Sequence, residues 1–472
     1  MSLNSRSFKS IAKFKTIAAL LAVCAAGALM LTGLTGSTSL RTPFYTFDRS
    51  GILSTQSTTG SIDLTNPFFQ SLGSNGRSCS SCHQVGDAWS VTPDDLRLRF
   101  QETNGTDPIF RPVDGATCPS ADVSSREARE QAYSLLLDKG LIRISLAMPA
   151  GAAFSIAAID DPYNCPQTTT TQPALYRRPL PAANVDFLSA VMWDGRETVF
   201  GAIPGKSINL PQSLSNQATD ATLTHAQAIN PPTAEQLAEI TAFETALYTA
   251  QAYDWNAGDL TSHGATGGPV SLSIQNFYIG INDALGGDPT GAQFNPNVFT
   301  LYSNWAGLNN SYARQAVARG QALFNTLPIS ITGVGGLNDA LGEPVISGNC
   351  TTCHDSPNVG DHSFSVPLNI GTTAYPALPA LDVSGLPVYS TQCSDGTTTQ
   401  VTDIGRAMIS GKCADIGKVK GPVLRGLAGR APYFHNGAAR RLDDVVEFYN
   451  ERFNLNLTNQ QKSDLVAFLQ TL

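Results

Sequence analysis

Charge is scarce in this sequence. Asp, Glu, Lys and Arg together make up 14% of its 472 residues, too few for a coiled coil or a self-repelling disordered chain. Basic residues are the rarer sign, 30 Lys and Arg against 38 Asp and Glu, which argues against nucleic acid as a partner. No short tandem repeat is present, and no apolar run beyond Leu34 is long enough to span a bilayer. What is there is a chain that is 42% hydrophobic, enough for two domains with real cores, and 41 Gly and 28 Pro that indicate a loop-rich fold.

Nine cysteines are present, and four fall in two copies of one pattern. Cys79-Ser80-Ser81-Cys82-His83 and Cys350-Thr351-Thr352-Cys353-His354 each set two thiols three positions apart with a histidine next. That is the attachment pattern of a c-type haem: each thiol adds to one vinyl group of the porphyrin, and the following imidazole faces the iron. Cys79, Cys82, Cys350 and Cys353 are therefore the expected anchors of two covalently bound haems. His83 and His354 are the expected iron ligands. A zinc site built from the two cysteine pairs is the competing reading; export and the adjacent histidines argue against it.

The N-terminus suits this chemistry. Arg6, Lys9, Lys13 and Lys15 form a basic start, Thr16 to Leu34 is almost wholly apolar, and Thr35 to Ser37 offer a cleavage region. Residues 1–37 read as a signal peptide or a retained N-terminal anchor; Leu21-Ala22-Val23-Cys24 also resembles a lipobox. The expected location is the periplasm, with membrane attachment only if this segment is kept. Loss of the leader takes Lys and Arg from 30 to 26 against 38 Asp and Glu, a net charge near −12. A basic redox partner or a small uncharged substrate suits that charge. Cys24 lies in the leader. In an oxidising compartment the remaining four cysteines are expected to pair locally, Cys118 with Cys165 and Cys393 with Cys413; four buried free thiols are the alternative.

Along the chain, residues 38 to 65 are Ser/Thr/Gly-rich and show little pattern. Short helices are expected from Pro67, from Thr92-Pro93-Asp94-Asp95 and over Ser125 to Leu137, with strands near Leu141 to Ile144 and Phe154 to Ile156. Thr233 and Gln236 form a capping box, followed by the stripe Leu237, Ile240, Phe243 and Leu247. Trp255 to Pro269 reads as the linker between a domain of residues 38–260 and one of residues 261–472. In the second, a helix is expected over Ser311 to Phe324. Leu442, Val445, Val446 and Tyr449 form one helical stripe, and Thr458 with Gln461 caps a last helix carrying Leu465, Phe468, Leu469 and Leu472. The expected class is mainly α: two cytochrome c-like haem domains with long loops and a small β element.

With both haem motifs, Trp193-Asp194-Gly195-Arg196, Gly421-Pro422-Val423-Leu424-Arg425-Gly426-Leu427, Ala431-Pro432-Tyr433-Phe434-His435-Asn436-Gly437 and the Leu442 helix in view, the chain resembles the bacterial di-haem cytochrome c peroxidase and MauG family. The resemblance implies an open peroxidatic haem in the N-terminal domain and an electron-transfer haem in the C-terminal one. Hydrogen peroxide is the implied substrate. The implied partner is a small redox protein such as cytochrome c, or, for MauG-like chemistry, a protein substrate. A di-haem electron carrier without enzyme activity is the non-catalytic alternative.

The resemblance also implies roles for particular residues. Tyr449 falls at the sixth-ligand position of the second haem, against the plain reading that it continues an apolar stripe; Met408 is the rival ligand. Trp193 aligns with the tryptophan between the haems. Gln217 matches a distal glutamine. Ten residues on, where the family has Glu, stands Gln227, which cannot shuttle a proton. His225, two residues earlier, can; iron ligand or surface histidine are its alternatives. His435 is expected near the haem interface, and His263 and His362 on solvent-facing loops. One calcium ion between the haems is implied, held partly by carbonyls near Ala431-Pro432-Tyr433, with Arg430 and Pro432 as candidate donors. The family's asparagine ligand falls at Arg178, which cannot bind a cation.

Overall fold

Local signals mark several helix ends well. In the computed structural model, which describes residues 38–201, 207–309 and 311–472, the first part of the chain forms helices α1 (Pro93–Thr103), α2 (Arg126–Ala132), α3 (Ser134–Lys139), α4 (Leu210–Thr224), α5 (Ala234–Thr245) and α6 (Gly268–Leu272). Helices α7 (Tyr312–Thr326), α8 (Asn338–Leu341), α9 (Ala407–Ser410), α10 (Leu442–Arg452) and α11 (Asn459–Leu469) follow. The leader reading for residues 1–37, with Cys24, lies outside the described residues. Both expected capping boxes form: Gln236 N–H donates to Thr233 Oγ1 (3.2 Å) and Gln461 N–H to Thr458 Oγ1 (3.2 Å), each answered by the reverse bond at 2.9 Å. Helix α5 stops at Thr245, so Leu247 is not its last turn but the first residue of a strand; it still packs with Ile240 and Phe243.

The β content is larger than the sequence suggests. Helix takes 29% of the described residues and strand 17%, so "mainly α" overstates the helices. Strands β1 (Ser39–Arg41), β2 (Phe44–Phe47), β3 (Gly51–Ser57) and β4 (Ser61–Asp63) occupy the patternless opening stretch. They are followed by β5 (Ile142–Ser145), β6 (Phe154–Asp160), β7 (Ala174–Arg177), β8 (Leu247–Asp254), β9 (Gly258–Asp259), β10 (Ile329–Thr332), β11 (Val345–Gly348), β12 (Val388–Cys393) and β13 (Thr398–Val401). Among the described residues they pair antiparallel as β1-β4, β2-β3-β8-β9, β5-β7, β13-β12-β6 and β10-β11. Strand β3 is hidden in sequence because Ser54, Thr55 and Ser57 are as buried as Leu53, which removes the polar/apolar alternation of a half-buried strand. Its Thr55 and Thr249 of β8 face each other, hydroxyl to hydroxyl, at 2.8 Å.

Strand β6 pairs with β12, Tyr389 opposite Ile159, so the second part of the chain adds strands to the first. Trp255 to Pro269 holds β9 and the start of α6, and within it Leu260 and Ala265 pack with Trp305 and Tyr302. Its glycines and serines serve tight turns. Cys118 and Cys165 lie at disulfide distance, Cα to Cα 5.4 Å, as do Cys393 and Cys413 at 5.8 Å. Helix α7 meets α11 at Gly320, where an added Cβ would come within 1.9 Å of Asp464 O. That close approach lets Phe324, Phe468 and Phe299 interlock edge to face.

Candidate functional site

Two cavities dominate the interior, one at each haem motif. The first, about 180 Å³, is walled by Cys79, Cys82 and His83. Neither cysteine is in a disulfide. A hydrogen-bond chain fixes the histidine: Thr55 Oγ1 of β3 accepts from the Trp89 indole (3.0 Å), and Trp89 O receives His83 Nδ1 (3.0 Å). With Nδ1–H committed to a carbonyl, Nε2 carries the free lone pair. Burial holds this imidazole below its usual pKa, in the neutral form that a metal ligand requires.

The second cavity, about 210 Å³, repeats the arrangement with Cys350, Cys353 and His354. His354 Nδ1 bonds Gly360 O at 2.6 Å, and burial again lowers the imidazole pKa. Gly360 is required there: its φ is +77°, and a Cβ would sit 2.6 Å from the Phe299 ring. The two cysteine pairs line different cavities. Among the described residues no group of three or more His, Cys, Asp or Glu side chains is placed to hold a metal ion by itself, which removes the zinc reading. Two free thiols, a neutral Nε2 and a largely apolar wall in each cavity fit a covalently held haem.

In the rest of their lining the cavities differ. Helix α4 turns Leu214, Gln217, Ala218, Ala221, Thr222 and His225 toward the first, the i, i+3, i+4 spacing of one helix face. His225 Nδ1 meets Asp114 Oδ2 at 2.5 Å, and Arg77 Nη1 meets Asp114 Oδ1 at the same distance. Burial opposes ionisation of Asp114, but His225 and Arg77 outweigh it and hold the carboxyl below its usual range. The pairing occupies Nδ1 of His225 and leaves Nε2 outside that bond. Gln227 lies outside the cavity, and its side chain accepts from Asn75.

In the second cavity all four residues of the stripe Leu442, Val445, Val446 and Tyr449 form wall. Burial, with the nearby thiols, pushes the Tyr449 phenol above its usual range. Met408 is no rival: it is buried against Phe154 and Ile404, away from both cavities. Nor is His362 on a solvent-facing loop. It is buried and lines the second cavity, because the turn after His354 folds inward. His263 is exposed and receives a bond from Arg314 (2.9 Å).

Trp193 lines both cavities, as do Arg178, Pro179, Leu180 and Pro181. Its indole donates to Arg178 O (2.8 Å), and its ring meets His435 edge to face at 6.1 Å. His435 itself is buried, and burial takes its pKa down to about 4.

No family model matches the sequence. Cytochrome-c peroxidase IdrP2 of Denitromonas iodatirespirans is 37% identical over 135 residues, 26% of this chain and 36% of that protein. IdrP2 of Pseudomonas sp. (strain SCT) is 34% identical over 138 residues, 26% and 35% of the two chains. The cytochrome c551 peroxidase of Nitrosomonas europaea is 28% identical over 124 residues, 26% and 30%. Over about a quarter of its length the chain is similar to bacterial cytochrome c peroxidases. It spans about a third of the length of the curated relatives it matches. A solved structure described as a MauG-like protein associated with microbial copper homeostasis overlays 86% of each chain at 16% identity, with a TM-score of 0.38, too low for a structural argument.

The first cavity carries two residues that sequence reading missed. Asp114 had no local signal. Glu244 had one: it stands four residues after Ile240 on the apolar side of α5. It is buried beside Cys79, Oε2 finds no hydrogen-bond partner, and burial raises its pKa to about 8. The folded chain thus keeps this carboxyl protonated at pH 7. Its contribution to stability is whole below the ordinary value of 4.5, falls as pH rises toward about 8, and is flat above. Glu244→Gln is therefore expected to stabilise the protein at pH 7, by on the order of 3 kcal/mol. The gain should vanish below pH 4; urea midpoints of both proteins across pH 4–9 measure it, and a pH-independent difference contradicts it.

Proposed function

We propose that the chain is an exported di-haem c-type peroxidase that reduces hydrogen peroxide at the first cavity, with electrons relayed through the second. The observation that carries this is the asymmetry of two similar cavities sharing one tryptophan: the first faces a His–Asp pair, the second a tyrosine. Cys79, Cys82 and His83 would hold one haem, and Cys350, Cys353 and His354 the other. When bound, the haems supply the iron at which peroxide is taken up and the redox centres that deliver its electrons.

The chain's own residues then manage protons and the route between the sites. Peroxide reduction consumes two protons and two electrons and yields two waters. His225 Nε2 takes a proton from one peroxide oxygen and returns it to the departing one. Asp114 keeps Nδ1 protonated and balances the imidazolium that forms in between. Gln217, on the same helix face, orients the peroxide. Trp193 offers the aromatic stop between the cavities. A basic cytochrome c is the natural donor for a mature chain near −12, and the periplasm its location.

Tyr449 on the second cavity favours a second reading, MauG-like oxidation of residues on a partner protein, because a phenolate ligand stabilises oxidised iron. EPR of the diferric protein before and after peroxide separates the readings. A high-spin signal lost without prior reduction supports MauG-like chemistry, and one lost only after reduction of the second haem supports the peroxidase. Two low-spin signals indifferent to peroxide leave only the electron carrier. Tyr449→Phe is expected to shift the second haem's spectrum and not the first; an unchanged spectrum removes Tyr449 as ligand.

A further inference from the structure

The calcium that the family resemblance implies does not fit the residues present. Where that ion's asparagine ligand falls, the chain has Arg178, almost completely buried. Its guanidinium lies among backbone carbonyls: Nη1 donates to Lys139 O (2.9 Å), and Nη2 to Val91 O (2.8 Å) and Arg430 O (3.0 Å). Arg430 is one of the two carbonyl donors that the resemblance assigns to calcium. The three carbonyls come from the segment after the first haem motif, the end of α3 and the loop leading into Ala431-Pro432. Space is made for the guanidinium by Gly140, where a Cβ would lie 2.5 Å from Nη1.

We infer that the Arg178 guanidinium is the resident cation of this joint and that the chain holds its two cavities together without calcium. Arg430 O, which the resemblance assigns to a divalent ion, here meets, together with Lys139 O and Val91 O, a planar cation with five N–H donors, which cannot be removed by a chelator. The same residue ties the joint through its backbone: Arg178 N–H donates to His435 O (2.7 Å), and Arg178 O accepts the Trp193 indole. Asp87 supplies the nearest favourable charge, and burial leaves the guanidinium pKa at about 10, so it stays charged at neutral pH. The position of Trp193 between the cavities is thereby built in rather than conferred by an ion.

The test uses the haem-loaded protein and does not depend on its turnover. Metal analysis should find calcium well below one per chain, and EGTA should leave the unfolding temperature and the EPR spectra of both haems unchanged. Arg178→Met should lower the unfolding temperature by on the order of 5–10 °C and perturb both spectra, with added calcium chloride having no effect on wild type. Arg178→Lys, which keeps the charge but not the fork, should fall between, and it decides the matter if the Met variant does not fold. One tightly bound calcium per chain, an EGTA-sensitive wild type, or a Met or Lys variant indistinguishable from wild type each overturns the inference. Failure of the peroxidase reading would show in the response to peroxide and leave these measurements intact.

Discussion

His225→Ala is expected to lower kcat/KM for hydrogen peroxide by roughly 10²–10⁴-fold, the usual worth of a positioned general acid–base group, with haem content and unfolding temperature close to wild type. The His225 side chain is partly exposed, so its removal leaves no large cavity in the core. Gln217 cannot replace it, because an amide does not exchange protons at neutral pH. Asp114→Asn should also slow the reaction, for two reasons. The amide cannot balance the imidazolium, and its NH₂ can donate to Nδ1 and select the wrong tautomer. That variant also leaves buried Arg77 without its carboxylate, so loss of stability accompanies loss of rate, whereas His225→Ala separates them. A His225→Ala protein with full peroxide turnover would move proton transfer to another group at this cavity.

Arg177→Met should be the most damaging single change to stability, costing about 3–5 kcal/mol, the typical penalty for stranding buried charge. Arg177 bonds Asp403 through Nε and Nη2 (2.7 and 2.9 Å) and Asp194 through Nη1 (2.5 Å), and all three side chains are nearly inaccessible. Burial opposes ionisation of both carboxyls, but the guanidinium outweighs it and holds both below the usual carboxylate range. The sign follows. In wild type this contribution is complete above the ordinary carboxylate pKa of 3.8 and is lost as pH falls through the lower folded values. In the variant Asp403 is buried without a guanidinium and Asp194 keeps only that of Arg196 (3.2 Å), so both gain by protonation. The gap between the proteins is therefore widest near neutrality and narrows in acid, which urea unfolding at several pH values will show. A gap that widens in acid would mean that Arg177 does not hold these carboxylates. Because Asp194 follows Trp193, the variant should also slow electron exchange between the haems.

How far the site could be read from the sequence depended on the range of the interactions involved. The haem motifs, both capping boxes and the stripe from Leu442 to Tyr449 are local patterns, set by spacings of a few residues, and the structure places them as read. Gln217 and His225 were singled out by the resemblance alone; the helix that brings them to one cavity was not read from the sequence and comes from the structure. Asp114 was not legible: it lies 111 residues from the histidine it holds, and nothing near it marks it. Strand β3 was missed because buried hydroxyls paired across the sheet look like loop composition. His362 was misread because polarity suggests exposure, whereas here it sits in a buried turn.

By itself the sequence determined that two thiol–thiol–histidine anchors exist and that the flanking helices present apolar faces. It also determined that an arginine stands where the resemblance implies a cation ligand. Attachment motifs and helix periodicity are written in neighbouring residues. Only the tertiary structure decided that Trp193 walls both cavities, that His225 is paired with a carboxylate, and that Arg178 reaches carbonyls from three separated segments. Each of those facts is a meeting of groups far apart in the chain, and burial gives each its weight by removing the water that would otherwise screen it.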